Sequence, residues 1–444
     1  METDKDAPAE ELTRAERRRS QDLLIRFTTT ATVSGSLVTS LGSLFLLQLG
    51  ATPMHLGVLT TLSSADKLIR AWGLQLMGRL GKAQLMFWGR ISSLVPGAAL
   101  VLLALWGDAG GRVVWVALAL LALRGVLQHL GNTAWWPLVQ DNTAGDALGA
   151  FLTRMRLRQR SVELLLPLLV GAYLGAQPSA RRFALPFALG LVSMVLAAFW
   201  ARQVSERRQA ASQQKVWQRL WQVLRLAPIR SYARLLMTRN FITSMSFPFW
   251  VVALTDRGMP VSYFVWMFSV MALGNLAGLV WWGRLVDAHG FRAVLTLTLT
   301  GLSATGCAWF YLPTDVLLLT LWAGGLHFFT GLLEGGLQMG QTKAMVDIVP
   351  EERQGEGFVI LMYAFALGGG VGGIMGGYTF EWTSQLDRST WDWPLVYLAG
   401  MQFAHLGMWY MSRGLKGYRE QVGLVELVRR LSSRTDRHSL RSQK

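Results

Sequence analysis

Twelve apolar stretches are spaced along the sequence, at 27–50, 54–78, 84–106, 113–138, 157–177, 183–203, 240–256, 262–283, 293–312, 315–340, 356–380 and 393–412. A helix rises 1.5 Å per residue, so about 20 such residues cross the hydrocarbon of a bilayer. Backbone in lipid has no water to bond, which leaves helices or closed barrels as the only spanning forms. Stretches of this length select helices. The sequence therefore predicts an all-α membrane protein of twelve transmembrane helices. Composition agrees: only 16% of residues are charged, against about 25% in a soluble domain.

The net charge of +16 raises the question of nucleic acid, and its placement answers it. Arg79, Lys82, Arg154, Arg156, Arg284, Arg292, Lys343 and Arg353 all fall in or beside alternate loops, and the stretch 202–239 adds further Lys and Arg. The loops of the other set are short and poor in cations. Basic loops stay in the cytoplasm. The charge thus predicts an inner-membrane protein with both termini cytoplasmic and in contact with anionic lipid, and no nucleic-acid partner. The N-terminal stretch, with no short apolar core and small-residue cleavage site, does not read as a signal peptide. Val216, Leu220 and Leu224, with Trp217 and Trp221, fall on one helical face between arginines, which suits a helix lying in the interface.

The two halves echo each other. "GRLVDAHGFR" (283–292) follows the eighth stretch, and "LQLMGRLGK" follows the second, with Gly81 set against Gly290. "DIVPEERQGEGF" follows the tenth, and "DNTAGDALGAF" the fourth, pairing Asp347 with Asp141 and Gly355 with Gly149. Gly283, Asp287, Gly290 and Arg292 resemble the signature loop of the major facilitator superfamily, Gly-x-Leu-x-Asp-x-x-Gly-x-Arg. The region from 347 resembles that superfamily's tenth-to-eleventh span, and "WWPLVQDNTAGDALGAF" resembles the Trp-rich loop of a poorly characterised bacterial branch. The resemblance covers about residues 24–413. It implies two six-helix bundles related by a pseudo-two-fold repeat: a tail 1–23, a bundle 24–203, a basic linker 204–238, a bundle 239–413 and a basic tail 414–444. It also implies that Gly283, Arg284, Asp287, Gly290 and Arg292 form a gating loop. Gly283 would let two helix ends approach, and Asp287 would accept bonds from a helix N-terminus, where the dipole favours an anion. The first-half copy has Leu74 and Gly78 in place of the Gly and Asp, so the latch is expected on the second half only.

Charges inside spans are costly and mark function or buried partners. "TLSSADKLIRAWG" (61–73) carries Asp66, Lys67 and Arg70 near mid-span. Asp66 and Arg70, four apart, share a helix face and can pair locally; Asp66 can instead pair with Arg124 of the fourth span. Arg124 reads either as that structural partner or as the anchor for an anionic group of a substrate. Counting residues from the span ends puts Asp66, Arg124 and His327 at similar depth. Asn275 corresponds to Asp66 in the repeat, and Asn240 adds a polar group on the seventh span. Substrate contact is thus expected from Arg124, His327, Asp66, Asn275 and Asn240. Glu334, on the face of His327, and Asp66 are the candidates for proton coupling. His129 reads as a helix–helix contact and Glu163 as a local pair with Arg158 or Arg160. The glycine run 368–377 reads as close helix packing.

No zinc-type cluster, nucleophile elbow or Walker sequence appears, and Cys307 stands alone. These features predict neither an enzyme nor a bound cofactor or metal. The function implied is a secondary transporter moving a small organic solute by alternating access, with protons as a possible coupling ion. The alternative is a transporter-like carrier or assembly factor for a pigment or other lipophilic ligand, which the abundance of Trp would suit.

Overall fold

A computed structural model describes residues 12–107, 110–143, 148–207, 216–350, 353–386 and 391–415. The outer parts of both tails and residues 208–215 of the linker lie outside these residues. Every regular element among them is a helix.

The first half begins with α1 (Arg14–Ser34), which passes through a π turn into α2 (Gly42–Gln48). α3 (Pro53–Ala65) and α4 (Arg70–Leu80) are joined by a 3-10 turn at Asp66–Ile69. α5 (Lys82–Ser92) and α6 (Leu94–Trp106) follow, then α7 (Gly111–Asn132), α8 (Trp135–Asn142), α9 (Leu148–Leu174) and α10 (Ala184–Arg202). A short connector helix, α11 (Val216–Leu224), leads to the second half. That half comprises α12 (Ala227–Ser246), α13 (Trp250–Thr255), α14 (Val261–Trp309), α15 (Val316–Ile348), α16 (Gln354–Ser384), α17 (Trp393–Phe403) and α18 (His405–Ser412).

Each of the twelve predicted stretches falls on helix. Seven of the helical stretches are long and apolar enough to cross a membrane by length and composition. α14 carries the eighth and ninth stretches and reverses at Gly290, whose φ of +77° is not helical. Gly81, its partner in the repeat, has φ +90° and separates α4 from α5. Both reversals need the left-handed region that only glycine enters without strain. α12 starts at Ala227, within the stretch assigned to the linker, because Pro228 sits in its first turn, where a missing N–H costs nothing.

Within the first half α1 packs on α9 and α10, and α5 on α7 and α10; within the second, α14 packs on α15, α17 and α18, and α12 on α16. Phe45 packs against Phe183 and Phe187 in the first half, and the ring centres of Trp250 and Trp309 lie 4.0 Å apart in the second, all within one continuous apolar core. The most extensive contacts between the halves are α3 with α16 and α9 with α14. The glycines of α16 explain the first. Gly369, Gly373 and Gly377 turn toward Ser64, Thr61 and Gly57 of α3, while Gly368, Gly372 and Gly376 turn toward Met237, Phe241 and Met245 of α12. A helix without side chains on two faces can be gripped from both sides.

The first and last described residues lie toward one face, called here the terminal face. There Ser205 N donates to Ser20 Oγ at 3.0 Å, Arg292 donates to the Arg413 carbonyl, and α11 packs on α16 and α4.

Candidate functional site

The two halves enclose a cavity of about 360 Å³. Ser36 and Ser40 reach it from the π turn after α1, Arg160 and Glu163 from α9, Arg239 and Thr243 from α12, Asn275 from α14, and Thr330, Glu334 and Gln338 from α15. The π turn matters locally: it widens the helix by one residue per turn and re-aims the serines. Phe247 and Phe268 supply apolar wall.

Two ion pairs organise the cavity. Arg239 Nη2 donates to Glu334 Oε2 at 2.5 Å, within the second half. Arg160 pairs with Glu163, one turn away on α9 in the first half. Arg160 also donates through Nη2 to Gln338 Oε1 of α15 at 2.5 Å, so this guanidinium bridges the halves. All four charged side chains are partly exposed to the cavity. Arginine suits this position because its planar fork donates to two partners at once and stays charged.

A second cavity, of about 320 Å³, lies nearer the terminal face and shares Gln338 with the first. Trp135 and Trp136 line it, as do Phe358 and Phe365. Arg156 of α9 crosses it, donating to Thr342 Oγ1 of α15 at 2.8 Å. On the same side Tyr363 of α16 donates to the Leu68 carbonyl at 2.8 Å. At the opposite end Glu381 accepts from Met54 N at 3.2 Å, and Val261 N donates to the Ala176 carbonyl at 3.1 Å. The halves are thus tied at both ends of the cavity.

Of the residues expected to meet substrate, Asn275 lines the cavity, and so does Glu334, one of the two coupling candidates. The others lie elsewhere. Arg124 is buried inside the first half, donating to Ser34 Oγ at 3.0 Å and Thr39 Oγ1 at 3.1 Å. With its amide oxygen turned inward, Gln128 accepts from Arg124 Nε at 3.2 Å. Asp66 does not pair with Arg124, nor with Arg70. Its carboxylate lies 3.4 Å from Lys67 Nζ and 3.4 Å from His129 Nε2, and Arg70 turns to His129 Nδ1 at 3.0 Å. The 3-10 turn at Asp66–Ile69 is the reason: three residues per turn displace the i,i+4 alignment that a regular helix would give. His327 is buried within the second half, bonded to the Ala323 carbonyl at 2.8 Å and edge-on to Trp309. Asn240 donates to the Phe365 carbonyl at 2.7 Å and joins α12 to α16.

The gating loop also departs from expectation. Gly290 makes the reversal and Arg292 meets the Arg413 carbonyl, but Gly283 has open space around it, and Arg284 and Asp287 are exposed. The acid at a helix N-terminus is found in the first half instead. Glu206 accepts from the backbone of Lys82 and Ala83 at the start of α5. Beside it, Asp141 accepts from Lys82 Nζ at 2.6 Å and from Arg207 N at 3.1 Å. Sequence pairing missed this latch because its acid comes from beyond α10 rather than from the loop itself.

Sequence reasoning also missed the cavity roles of Arg160, which it read as a local partner of Glu163, and of Arg239, which it counted with the basic stretch 202–239. Arg90, a lone cation in an apolar stretch, was a legible signal. It is buried, donating to Asn132 Oδ1 at 2.5 Å and lying over the Phe27 ring.

Comparison with known proteins fits this geometry. The family model for the Major Facilitator Superfamily matches residues 235–433. The match lies in the second half of this chain, which is similar to that superfamily. Solved structures extend the likeness to the first half. The nucleoside transporter NupG matches at a TM-score of 0.61 and 14% identity, over 91% of this chain and 100% of that one. A bacterial homologue of the iron transporter ferroportin, outward-facing with soaked iron, matches at 0.63 and 17%, over 89% and 98%. A bacterial metal transporter matches at 0.56 and 18%, over 90% and 98%. No curated protein sequence matches the chain. At these identities the structures show a shared fold.

Proposed function

We propose that this chain is a secondary transporter that moves a small polar organic solute by alternating access, with the solute held in the cavity between the halves. The observation that carries this reading is the convergence of two ion pairs, one from each half, on a single cavity. A solute bearing an anionic group can compete for Arg160 or Arg239, and one bearing a donor can compete for Glu163 or Glu334. A solute carrying both groups can meet both members of a pair, which leaves neither charge unpaired. Each carboxylate is already held by an arginine. A divalent cation needs several oxygen ligands, so the arrangement favours an organic solute, as in the nucleoside transporter, over a metal, as in the ferroportin homologue. Four charged side chains in the cavity also weigh against a lipophilic cargo.

Glu334 is the proposed coupling group. A proton on Glu334 releases Arg239, and a solute anion can then take that guanidinium. The terminal face is proposed to be cytoplasmic, since the basic loops collect there, and the inner membrane is the proposed location.

The test is a thermal-stability screen of the detergent-purified protein against a broad solute library, repeated on Arg239→Ala. A ligand that binds the native state raises the melting temperature by mass action. Stabilisation by one class of polar solute, lost in Arg239→Ala, supports the reading. Stabilisation by metal ions or lipophilic molecules alone would overturn it.

A further inference from the structure

On the terminal side of the molecule, away from the cavity, α12 and α16 present matching stripes. Arg230, Ala233, Arg234 and Met237 recur at i, i+3, i+4 and i+7, and so do Ile360, Tyr363, Ala364 and Leu367. Residues at this spacing share one helix face. The two faces splay apart and leave a groove of about 580 Å³, capped by Leu224 of α11. At its deep end the helices close to backbone contact, where a Cβ on Gly368 would strike the Met237 carbonyl. The groove therefore has a closed apolar end within the bilayer and an open end at the face that carries the basic loops. From Arg230 to Met237 the helix descends about 10 Å, the distance from a headgroup phosphate into the first methylenes of a chain.

The open end is cationic. Arg230 and Arg234 are exposed, and among the described residues no carboxylate pairs with either; Arg234 makes a single long contact to Ser231 at 3.4 Å. The nearby acid on α16, Glu356, is held by Arg219 at 2.6 Å. The connector helix above the groove bears the marks of the interface. Val216, Leu220 and Val223 are buried against the protein, while Trp217 and Trp221 are half exposed, with the Arg225 guanidinium 5.7 Å over Trp221. Tryptophans at this level sit among headgroups.

We propose that this groove is a binding site for an anionic phospholipid of the leaflet on the terminal side. Its phosphate and charged headgroup lie on Arg230 and Arg234, and its chains run along Met237, Ile360 and Leu367 toward Gly368. Two unpaired guanidinium groups over an apolar floor match an anionic lipid and disfavour a zwitterionic one, whose ammonium has no acid to meet. The site is separate from the solute cavity and does not depend on it. Tyr363, on its wall, reaches across to the Leu68 carbonyl in the 3-10 turn of the first half, so an occupied groove stiffens the seam between that turn and α16.

Native mass spectrometry of the full chain in detergent, titrated with dioleoyl phosphatidylglycerol or dioleoyl phosphatidylcholine, tests the proposal. The wild type is expected to retain phosphatidylglycerol several-fold more than phosphatidylcholine. The double variant Arg230→Gln/Arg234→Gln is expected to bring the two to parity while unfolding at the wild-type temperature in lipid-free detergent. Leu367→Trp, which fills the groove and leaves both arginines, is expected to lower retention of phosphatidylglycerol as well. Equal retention of both lipids by the wild type overturns the site, as does a preference that survives in the double variant. Should the double variant fail to fold, undiminished retention in Leu367→Trp would overturn it alone.

Discussion

Arg124 and Arg239 are both arginines on spanning segments, yet their surroundings assign them different work. Arg124 is enclosed by the hydroxyls of Ser34 and Thr39, which accept from its guanidinium. Arg239 faces the cavity through a single carboxylate. Hydrogen bonds to a buried charge contribute about 1.5–3 kcal/mol. Arg124→Ala is therefore expected to lower the melting temperature while leaving the affinity for a bound solute unchanged; Arg239→Ala is expected to reduce that affinity by at least tenfold at little cost in stability. A solute titration followed by fluorescence, with melting curves on the same samples, separates the two. For Glu334→Gln, solute exchange across vesicles should persist while uptake driven by a pH gradient is lost, because the neutral amide binds solute but carries no proton. Gradient-driven uptake at the wild-type rate in that variant would remove Glu334 from the coupling role. Sequence marked Arg124 and Glu334 alike as charges out of place. What it lacked was the azimuth of each side chain, which a π turn after Ser34 and a 3-10 turn at Asp66 both reset.

At the scale of the element, hydropathy made the helices legible because lipid leaves the backbone no other solution. The ends were less legible. α1 starts at Arg14, thirteen residues before the predicted stretch, since the capping box of Thr13 and Glu16 sets its start in water, where hydropathy has no voice. The glycine run of α16 was readable as packing, and its two-sided arrangement gives a sharp expectation. Gly373 lies against the backbone of Gly57 and against Thr61. Overpacking a closed contact costs about 1–3 kcal/mol, so Gly373→Val should destabilise the protein by that order. Gly370 faces open space, so Gly370→Ala on the same helix should be neutral or stabilising. Paired melting curves in one detergent check the contrast. Equal effects at the two positions would mean that the α3–α16 contact carries no stability.

For the whole molecule, alternating access requires ties at each end of the cavity that can break one at a time. On the terminal side the ties run from α9 to α15 through Arg156–Thr342 and Arg160–Gln338, and from α16 to the 3-10 turn after α3 through Tyr363–Leu68. At the other end they run through Met54–Glu381 and Val261–Ala176. Inside the first half the buried guanidinium groups of Arg70, Arg90 and Arg124 meet neutral partners, His129, Asn132, Ser34 and Thr39, and Lys82 meets Asp141. Each of these contacts lies within the one half and crosses no seam. Motion is therefore expected at the seams and not inside the bundle. A charge-assisted bond of about 1.5–3 kcal/mol corresponds to roughly a 10- to 100-fold change in the ratio of two states. Arg156→Ala should accordingly raise the population open on the terminal side. The measurement is a spin–spin distance distribution between labels at Arg154 and Val346, on α9 and α15, with Cys307, the chain's one cysteine, replaced by Ser so that it takes no label. The wild type should give mainly the short distance, and Arg156→Ala a grown long-distance component. Thr342→Ala should act in the same direction but more weakly, because the arginine keeps its contact with Met339. If both variants leave the distribution at its wild-type form, the seam is held by helix packing alone, and the opening transition must be sought in the glycine contacts of α16.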